Sequence, residues 1–223
     1  MLSLSPMLVH ATTISLEFNK LTNNNVENLG VGGTNQLLLT IYDAPQGLVA
    51  FPSLIGSIDP TDVLFAFRNN VGTASSVAEV YIDGGGGLST LDSVQNSLGG
   101  STSFVAGGLN PPNLPGGNTA SPPFNAIDAL SADTNPGPPS NGIDAAADIL
   151  GIIYTTTGGL AGVQNALLTG DLRVGLHVRS IGVAVGSDSY VGAPVPEPTT
   201  LLLFGTGLFG VGIATRRRGR KEA

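Results

Sequence analysis

Residues 172–179 read LRVGLHVR, with Leu172, Val174, Leu176 and Val178 alternating with Arg173, Gly175, His177 and Arg179. Successive side chains of an extended chain point to opposite faces, so this stretch is a strand with one apolar and one polar face. The same period of two recurs upstream. Ile14, Leu16 and Phe18 alternate with Ser15, Glu17 and Asn19, and Leu37, Leu39 and Ile41 form a second run. Val63, Phe65 and Phe67 form a third, and Ala78, Val80 and Ile82 a fourth, closed by Asp83 and the glycines 84–87. Ile149 to Tyr154 is apolar on both faces, which places it between two layers. Ile181, Val183 and Val185 are expected to continue the sheet. One helix is predicted over Leu160 to Leu168, where Leu160, Val163, Leu167 and Leu168 keep the 3.6-residue period and Gly170 is the stop. Eight or so short strands with Gly-rich turns predict an all-β fold, a two-layer β-sandwich of which a jelly roll is one form, with one short helix.

Composition points the same way. Of 223 residues 32 are Gly and 15 Pro, about a fifth of the chain against roughly 12% in ordinary usage, so turns are many and long helices few. There is no Cys, which removes thiol catalysis, thiolate metal sites and disulfides together and leaves the fold to its core. The net charge is −7, although Arg216, Arg217, Arg218, Arg220 and Lys221 crowd the C-terminus. Upstream of them the cations are Lys20, Arg68, Arg173 and Arg179, too few to neutralise a run of phosphates, so no nucleic-acid partner is expected.

Residues 107–148 hold Pro111, Pro112, Pro115, Pro122, Pro123, Pro136, Pro138 and Pro139. A strand is not expected to run through so many missing donors. The segment is a long excursion, either disordered or a structured loop laid across the sandwich, with Phe124, Ile127 and Leu130 available to pin it. Long loops inside compact domains often carry function, so a ligand would be sought here first.

The C-terminus carries the clearest functional pattern. Residues 199–215, TTLLLFGTGLFGVGIAT, contain no charge and would span roughly 25 Å as a helix, near the lower limit for a hydrocarbon core. Leu201, Leu202, Leu203, Phe204, Leu208, Phe209, Val211 and Ile213 supply the apolar surface of this membrane anchor. The basic residues 216–221 follow as a stop-transfer cluster, which orients them to the cytoplasm and the acidic body to the other side. Gly205, Gly207 and Gly210 match a dinucleotide-binding spacing, but no strand precedes them and no ribose-binding acid follows, so no such cofactor is expected. Before the span stands Val195-Pro196-Glu197-Pro198, where two prolines forbid a helix or ladder and hold Glu197 on an extended, accessible segment.

Pro196-Glu197-Pro198, an apolar helix and an Arg cluster at the extreme C-terminus together resemble the PEP-CTERM sorting signal of Gram-negative bacteria. That resemblance implies recognition by an exosortase, a membrane-embedded cysteine protease, and an association with exopolysaccharide and biofilm. The body is similar to a recurrent β-rich exported domain of PEP-CTERM proteins, through Leu114-Pro115-Gly116-Gly117-Asn118, Gly175-Leu176-His177-Val178 and Gly186-Ser187-Asp188-Ser189. This second resemblance implies a fold and an address, not an activity. At the other end Leu2 to Val9 is a short apolar run broken by Pro6, and Val9-His10-Ala11 resembles a signal-peptidase site. Residues 1–11 are therefore expected to be the remnant of a secretory signal peptide that starts upstream of Met1. The expected organisation is leader 1–11, exported sandwich 12–194 and sorting segment 195–223.

Chemistry is sparse. His177 is the one histidine of the body, so a Ser-His-acid mechanism or a His-based metal site must use it. Its parity beside Arg173 and Arg179 predicts an exposed strand histidine on a solvated face. Asp83, Asp92, Asp128, Asp133, Asp144, Asp148 and Asp188 lie in or near predicted loops, where carboxylates can gather Ca²⁺, but no EF-hand or nonapeptide pattern organises them and no metal is expected. Two carboxylates would suffice for a glycosidase, but spacing along a β chain does not show which acids converge. For sugar stacking the chain has no Trp, and Tyr42, Tyr81, Tyr154 and Tyr190 are the rings expected to be exposed. The sum predicts a non-enzymatic exported surface or matrix protein, briefly anchored and then processed. Its alternatives are a carbohydrate-binding or carbohydrate-active protein and an assembly protein that polymerises through edge strands.

Overall fold

The computed structural model describes residues 13–137, 140–183 and 185–194. The leader 1–11 and the segment 195–223, with every sorting, anchor and basic residue named above, lie outside them. Ten strands follow in order: β1 (Thr13–Lys20), β2 (Leu37–Asp43), β3 (Asp62–Asn69), β4 (Ser76–Asp83), β5 (Leu88–Gly99), β6 (Phe104–Ala106), β7 (Ala132–Thr134), β8 (Ile149–Thr156), β9 (Arg173–Ile181) and β10 (Gly186–Pro194). Two helices interrupt them, α1 (Ala44–Ala50) and α2 (Gly159–Thr169).

The fold is mostly β, as the alternation predicts, but the strands hydrogen-bond as one antiparallel sheet in the order β5-β8-β3-β2-β1-β10-β9-β4-β7-β6. The expected two layers are opposite walls of this single rolled sheet, not separate sheets. Three register shifts along β5 let that edge bend, since a bulge adds a residue to one strand and curves it. The roll almost closes where β5 meets β6. There Asn96 donates from Nδ2 to the Phe104 carbonyl at 2.8 Å and accepts the Phe104 amide on Oδ1 at 2.7 Å, so a side-chain amide takes the place of a strand partner.

Ile14, Leu16, Phe18, Leu37, Leu39, Ile41, Val63, Phe65, Phe67, Val174, Leu176 and Val178 all face the interior of the roll, as their parity requires. Leu160, Val163, Ala166 and Leu167 of α2 join the same core, and the helix ends at Gly170 in the left-handed region, φ +80°, where glycine meets no Cβ clash. α1 was not expected. Its start is nonetheless written in Asp43-Ala44-Pro45-Gln46: Asp43 Oδ1 accepts from the Gln46 amide at 2.9 Å and Pro45 sits in the first turn, the usual signs of a helix N-terminus. With Phe51 and Leu54 it covers Leu64, Ala66 and Ile153 on the outer face of β3 and β8, which is why those strands are apolar on both sides.

Two expectations are corrected. Ile181 ends β9, and Val183 and Val185 sit in the turn to β10, 97% and 71% exposed; their alternation continues no strand. β5 and β10 carry no apolar alternation, because LSTLDSVQNSLG and GSDSYVGAP are small and polar. The proline-rich segment holds a strand after all: β7 fits in the proline-free window between Pro123 and Pro136 and pairs with both β4 and β6.

Candidate functional site

The outer face of β10, β9, β4 and β7 gathers the polar side chains that sequence could not bring together. Cross-strand register sets Ser189 opposite His177, His177 opposite Glu79, and Glu79 opposite Asp133. His177 is no exposed strand histidine: it is 6% exposed, and its Nδ1 lies 2.7 Å from Glu79 Oε2. Arg179 Nη2 approaches the other oxygen, Oε1, at 2.5 Å. Glu79, itself 1% exposed, is thus held on Oε1 by Arg179, while Oε2 and His177 Nδ1 stand close without a hydrogen bond between them, so the lost hydration of this buried carboxylate is offset on one oxygen. Glu79 was not singled out from sequence, because a lone acid in the apolar run VAEVYI gives no sign of its partners.

The row Ser189–His177–Glu79 has the residue types of a Ser-His-acid hydrolase. In such an enzyme the nucleophile is hydrogen-bonded to the ring and open to substrate. Here Ser189 is fully buried and its Oγ has no hydrogen-bond partner among the described residues. Beside the row, Glu79, Asn110, Asp133, Asn135 and Arg179 line an open cleft of about 430 Å³. Burial first, and then the Glu79 charge, raise the pKa of Asp133. The register sets Glu79 opposite Asp133 across this cleft, and Asp133 accepts the Asn110 amide at 3.2 Å.

The lower half of the same face is roofed by residues 107–130. Arg173 does most of the holding. It pairs with Asp83, donates to the Pro122 and Pro123 carbonyls at 2.6 and 2.7 Å, and stands 5.2 Å from the centre of the Phe124 ring. Tyr81 donates to the Pro111 carbonyl at 3.1 Å. Asn113 staples the two limbs, accepting the Ala126 amide at 3.0 Å and donating to the Phe124 carbonyl at 2.8 Å. Leu109, Leu114 and Phe124 pack on Tyr81, while Leu130 and Ile127 reach the main core. Of the two fates open to this loop, the structure takes the structured one.

Of the predicted loop acids, Asp188, Asp148 and Asp128 serve the backbone, Asp83 pairs with Arg173, and Asp92 lies inside β5. Asp188 takes Lys20 Nζ at 3.0 Å, the Thr22 hydroxyl and the Asn24 amide at 2.8 Å each, and the Asn25 amide at 3.0 Å. Asp148 accepts amides of Ser101 at 2.9 Å, Ala145 at 2.9 Å and Asp144 at 3.2 Å. Burial, and then the neighbouring Asp148, raise the pKa of Asp144. Asp128 takes the Leu109 amide at 2.9 Å. Among the described residues no group of three or more His, Asp or Glu side chains is placed to hold a metal ion.

The aromatic expectation fails. Tyr81, Tyr154 and Tyr190 are fully buried, and Tyr42 is half-buried with its ring edge-on to Phe51 at 5.9 Å. Their hydroxyls explain how a polar ring is tolerated inside: Tyr154 donates to the Leu130 carbonyl at 2.6 Å and Tyr190 accepts the Leu29 amide at 3.3 Å. Among the described residues no helix is long and apolar enough to cross a membrane; the predicted span 199–215 lies beyond them. Residues 194–218 match the family model of the PEP-CTERM protein-sorting motif. No curated protein and no solved structure matches the chain.

Proposed function

We propose that this chain, which carries a PEP-CTERM protein-sorting motif at residues 194–218, is a non-enzymatic protein delivered to the cell surface or extracellular matrix. The motif implies export and processing by an exosortase. In the finer reading, Pro196, Glu197 and Pro198 are the recognition element, residues 199–215 anchor the chain across the inner membrane, and residues 216–221 stop transfer on the cytoplasmic side. Cleavage near residues 196–198 then releases the body, which associates with exopolysaccharide. The carrying observation is the sorting match. Supporting a structural role for the body, Glu79, Asp188, Asp148, Arg173 and His177 are committed to packing and loop closure, which leaves few polar groups for chemistry.

The test replaces Pro196 and Glu197 by Ala in the full chain and follows the membrane-held fraction in a host with the exosortase. Accumulation of the uncleaved, anchored form is expected, and unchanged release would overturn the role given to these residues.

A second reading, binding of a matrix glycan, is favoured by the cleft beside Asn110, Asp133, Asn135 and Arg179. Its amides and carboxylate suit hydroxyl groups, although among the described residues no aromatic ring lines the cleft for a sugar to stack on. A glycan array with the released body separates the two: retention that Asp133→Ala abolishes would favour glycan binding.

A further inference from the structure

We propose that the side chains of Lys20 and Asp188 join in the folded chain as an amide, a covalent link between β1 and β10. The bond replaces an ion pair already in place: Lys20 Nζ stands 3.0 Å from Asp188 Oδ2, with the two side chains 12% and 0% exposed. This inference goes beyond the sorting reading and does not depend on it.

Parity brings the pair together. Lys20 continues the inward row Ile14, Leu16, Phe18, and Asp188 precedes the inward Tyr190, which stands opposite Lys20 in the register. Both side chains therefore point to the interior of the roll. A register shift in β10 between Gly186 and Asp188 lies at the same place, as bulges do where a side chain is re-aimed. Lys20 is also the one lysine of residues 12–194, where the other cations are Arg68, Arg173 and Arg179. A guanidinium keeps its proton and its delocalised charge, whereas a desolvated ammonium can give up a proton and become a nucleophile. The body thus sets its one side-chain amine against a buried carboxyl group.

The surroundings suit acyl transfer. The Asn25 and Glu27 carbonyls accept from Nζ at 2.6 and 2.8 Å and hold it in one position, which supplies the proximity that a bimolecular reaction lacks. Asp188 Oδ1 receives the Thr22 hydroxyl and the Asn24 amide, each at 2.8 Å. Two donors on one oxygen form a cradle for the negative charge of a tetrahedral intermediate. Oδ2, which takes the Asn25 amide at 3.0 Å, is the oxygen that leaves. Burial, and with it the charges of Asp188 and Glu27, push the Tyr190 hydroxyl up to about 12, which sets both carboxylates at this corner. Asn25 Nδ2 and Glu27 Oε2 are buried without a hydrogen-bond partner among the described residues. Buried polar groups are ordinarily paired, so these two mark the corner as more than packing.

The step balances without a further reagent. One ammonium proton passes to Oδ2, which leaves a neutral amine beside a neutral acid, the form that burial favours over two separate charges. The Nζ lone pair then adds to Cγ, a second Nζ proton moves to Oδ2, and the Cγ–Oδ2 bond breaks to release water. One N–H remains on the amide. Burial of both side chains keeps bulk water from reversing the step. β10 leads directly to the sorting match at residues 194–218, so the link ties the strand that takes a pull from that end to the first strand of the sheet.

The test is an intact-mass measurement on the full chain, purified in detergent and shown to be folded by a cooperative melt. The chain is expected to be lighter by one water than its sequence. Trypsin is expected to leave the peptide ending at Arg68 uncut at Lys20 and joined to the peptide that starts at Ser180. Lys20→Arg keeps the charge pair but offers no amine to acylate, and Asp188→Ala removes the carboxyl group. Both variants are expected at full mass, a readout that does not require either to be as stable as the parent. A folded chain of full mass that trypsin cuts after Lys20 would overturn the link. A loss of water that persists in Lys20→Arg would also overturn it, because the water would then come from elsewhere.

Discussion

Phe124 lies with its Cζ 3.1 Å from the point where a Cβ on Gly175 would stand, and Leu114 comes within 2.9 Å of the same point. The bare backbone of β9 is thus the seat of the proline-rich strap. Gly175→Val puts two further methyl groups into that space and lifts the strap from the sheet. The expected loss is about 1–3 kcal/mol, as for other overpacked contacts. Limited proteolysis should find new cuts between residues 107 and 130 before the melting transition moves far. A protease-resistant strap in this variant would show that Gly175 is not its seat.

Asp188 joins β10 to the 20–25 turn through Lys20, the Thr22 hydroxyl and two backbone amides. Removing a buried carboxylate strands its donors, so Asp188→Ala should cost about 3 kcal/mol or more by denaturant unfolding. The sorting segment, by contrast, starts where the strand stops. A chain ending at Pro194 keeps every described β10 pair and should melt with the body of the full chain, whereas one ending at Ser187 should not fold. Matching melting curves for the two truncations would refute this division.

Asp133 gives a pH test. Burial and Glu79 raise its pKa above the usual 3.8 in the folded chain, so the folded state binds this proton more tightly than the unfolded one. The stabilisation due to the neutral acid is complete below 3.8 and is lost as pH rises through the raised value. Asp133→Asn, which stays neutral and can still accept the Asn110 amide, should therefore raise the melting temperature at pH 7. Near pH 3 the gain should disappear. A gain of equal size at both pH values would sink the electrostatic account.

Val185 holds a left-handed backbone, φ +55°, which a β-branched residue adopts only at a cost. It is also 71% exposed, so little packing is lost on replacement. Val185→Gly should stabilise the chain by about 1 kcal/mol, read as a higher denaturant midpoint with an unchanged slope. A lower midpoint would mean that the turn is not strained.

Sequence by itself determined the all-β class, the inward sides of β1, β2, β3 and β9, the helix ending at Gly170 and the sorting motif. Each is local: a period of two, a period of 3.6, a left-handed glycine, or a tripartite order of proline, apolar and basic residues, legible from a few neighbours. Only the tertiary structure decided that one sheet rolls instead of two stacking, because closure depends on bulges in β5 and on Asn96 meeting Phe104 across a turn. It also decided the fate of His177. Alternation placed its side chain on the outer face correctly, but its pairing there depends on Glu79, nearly a hundred residues away in the chain. The same holds for the tyrosines and the loop aspartates: a polar group's partners are set by which distant backbone folds over it, and no periodicity records that.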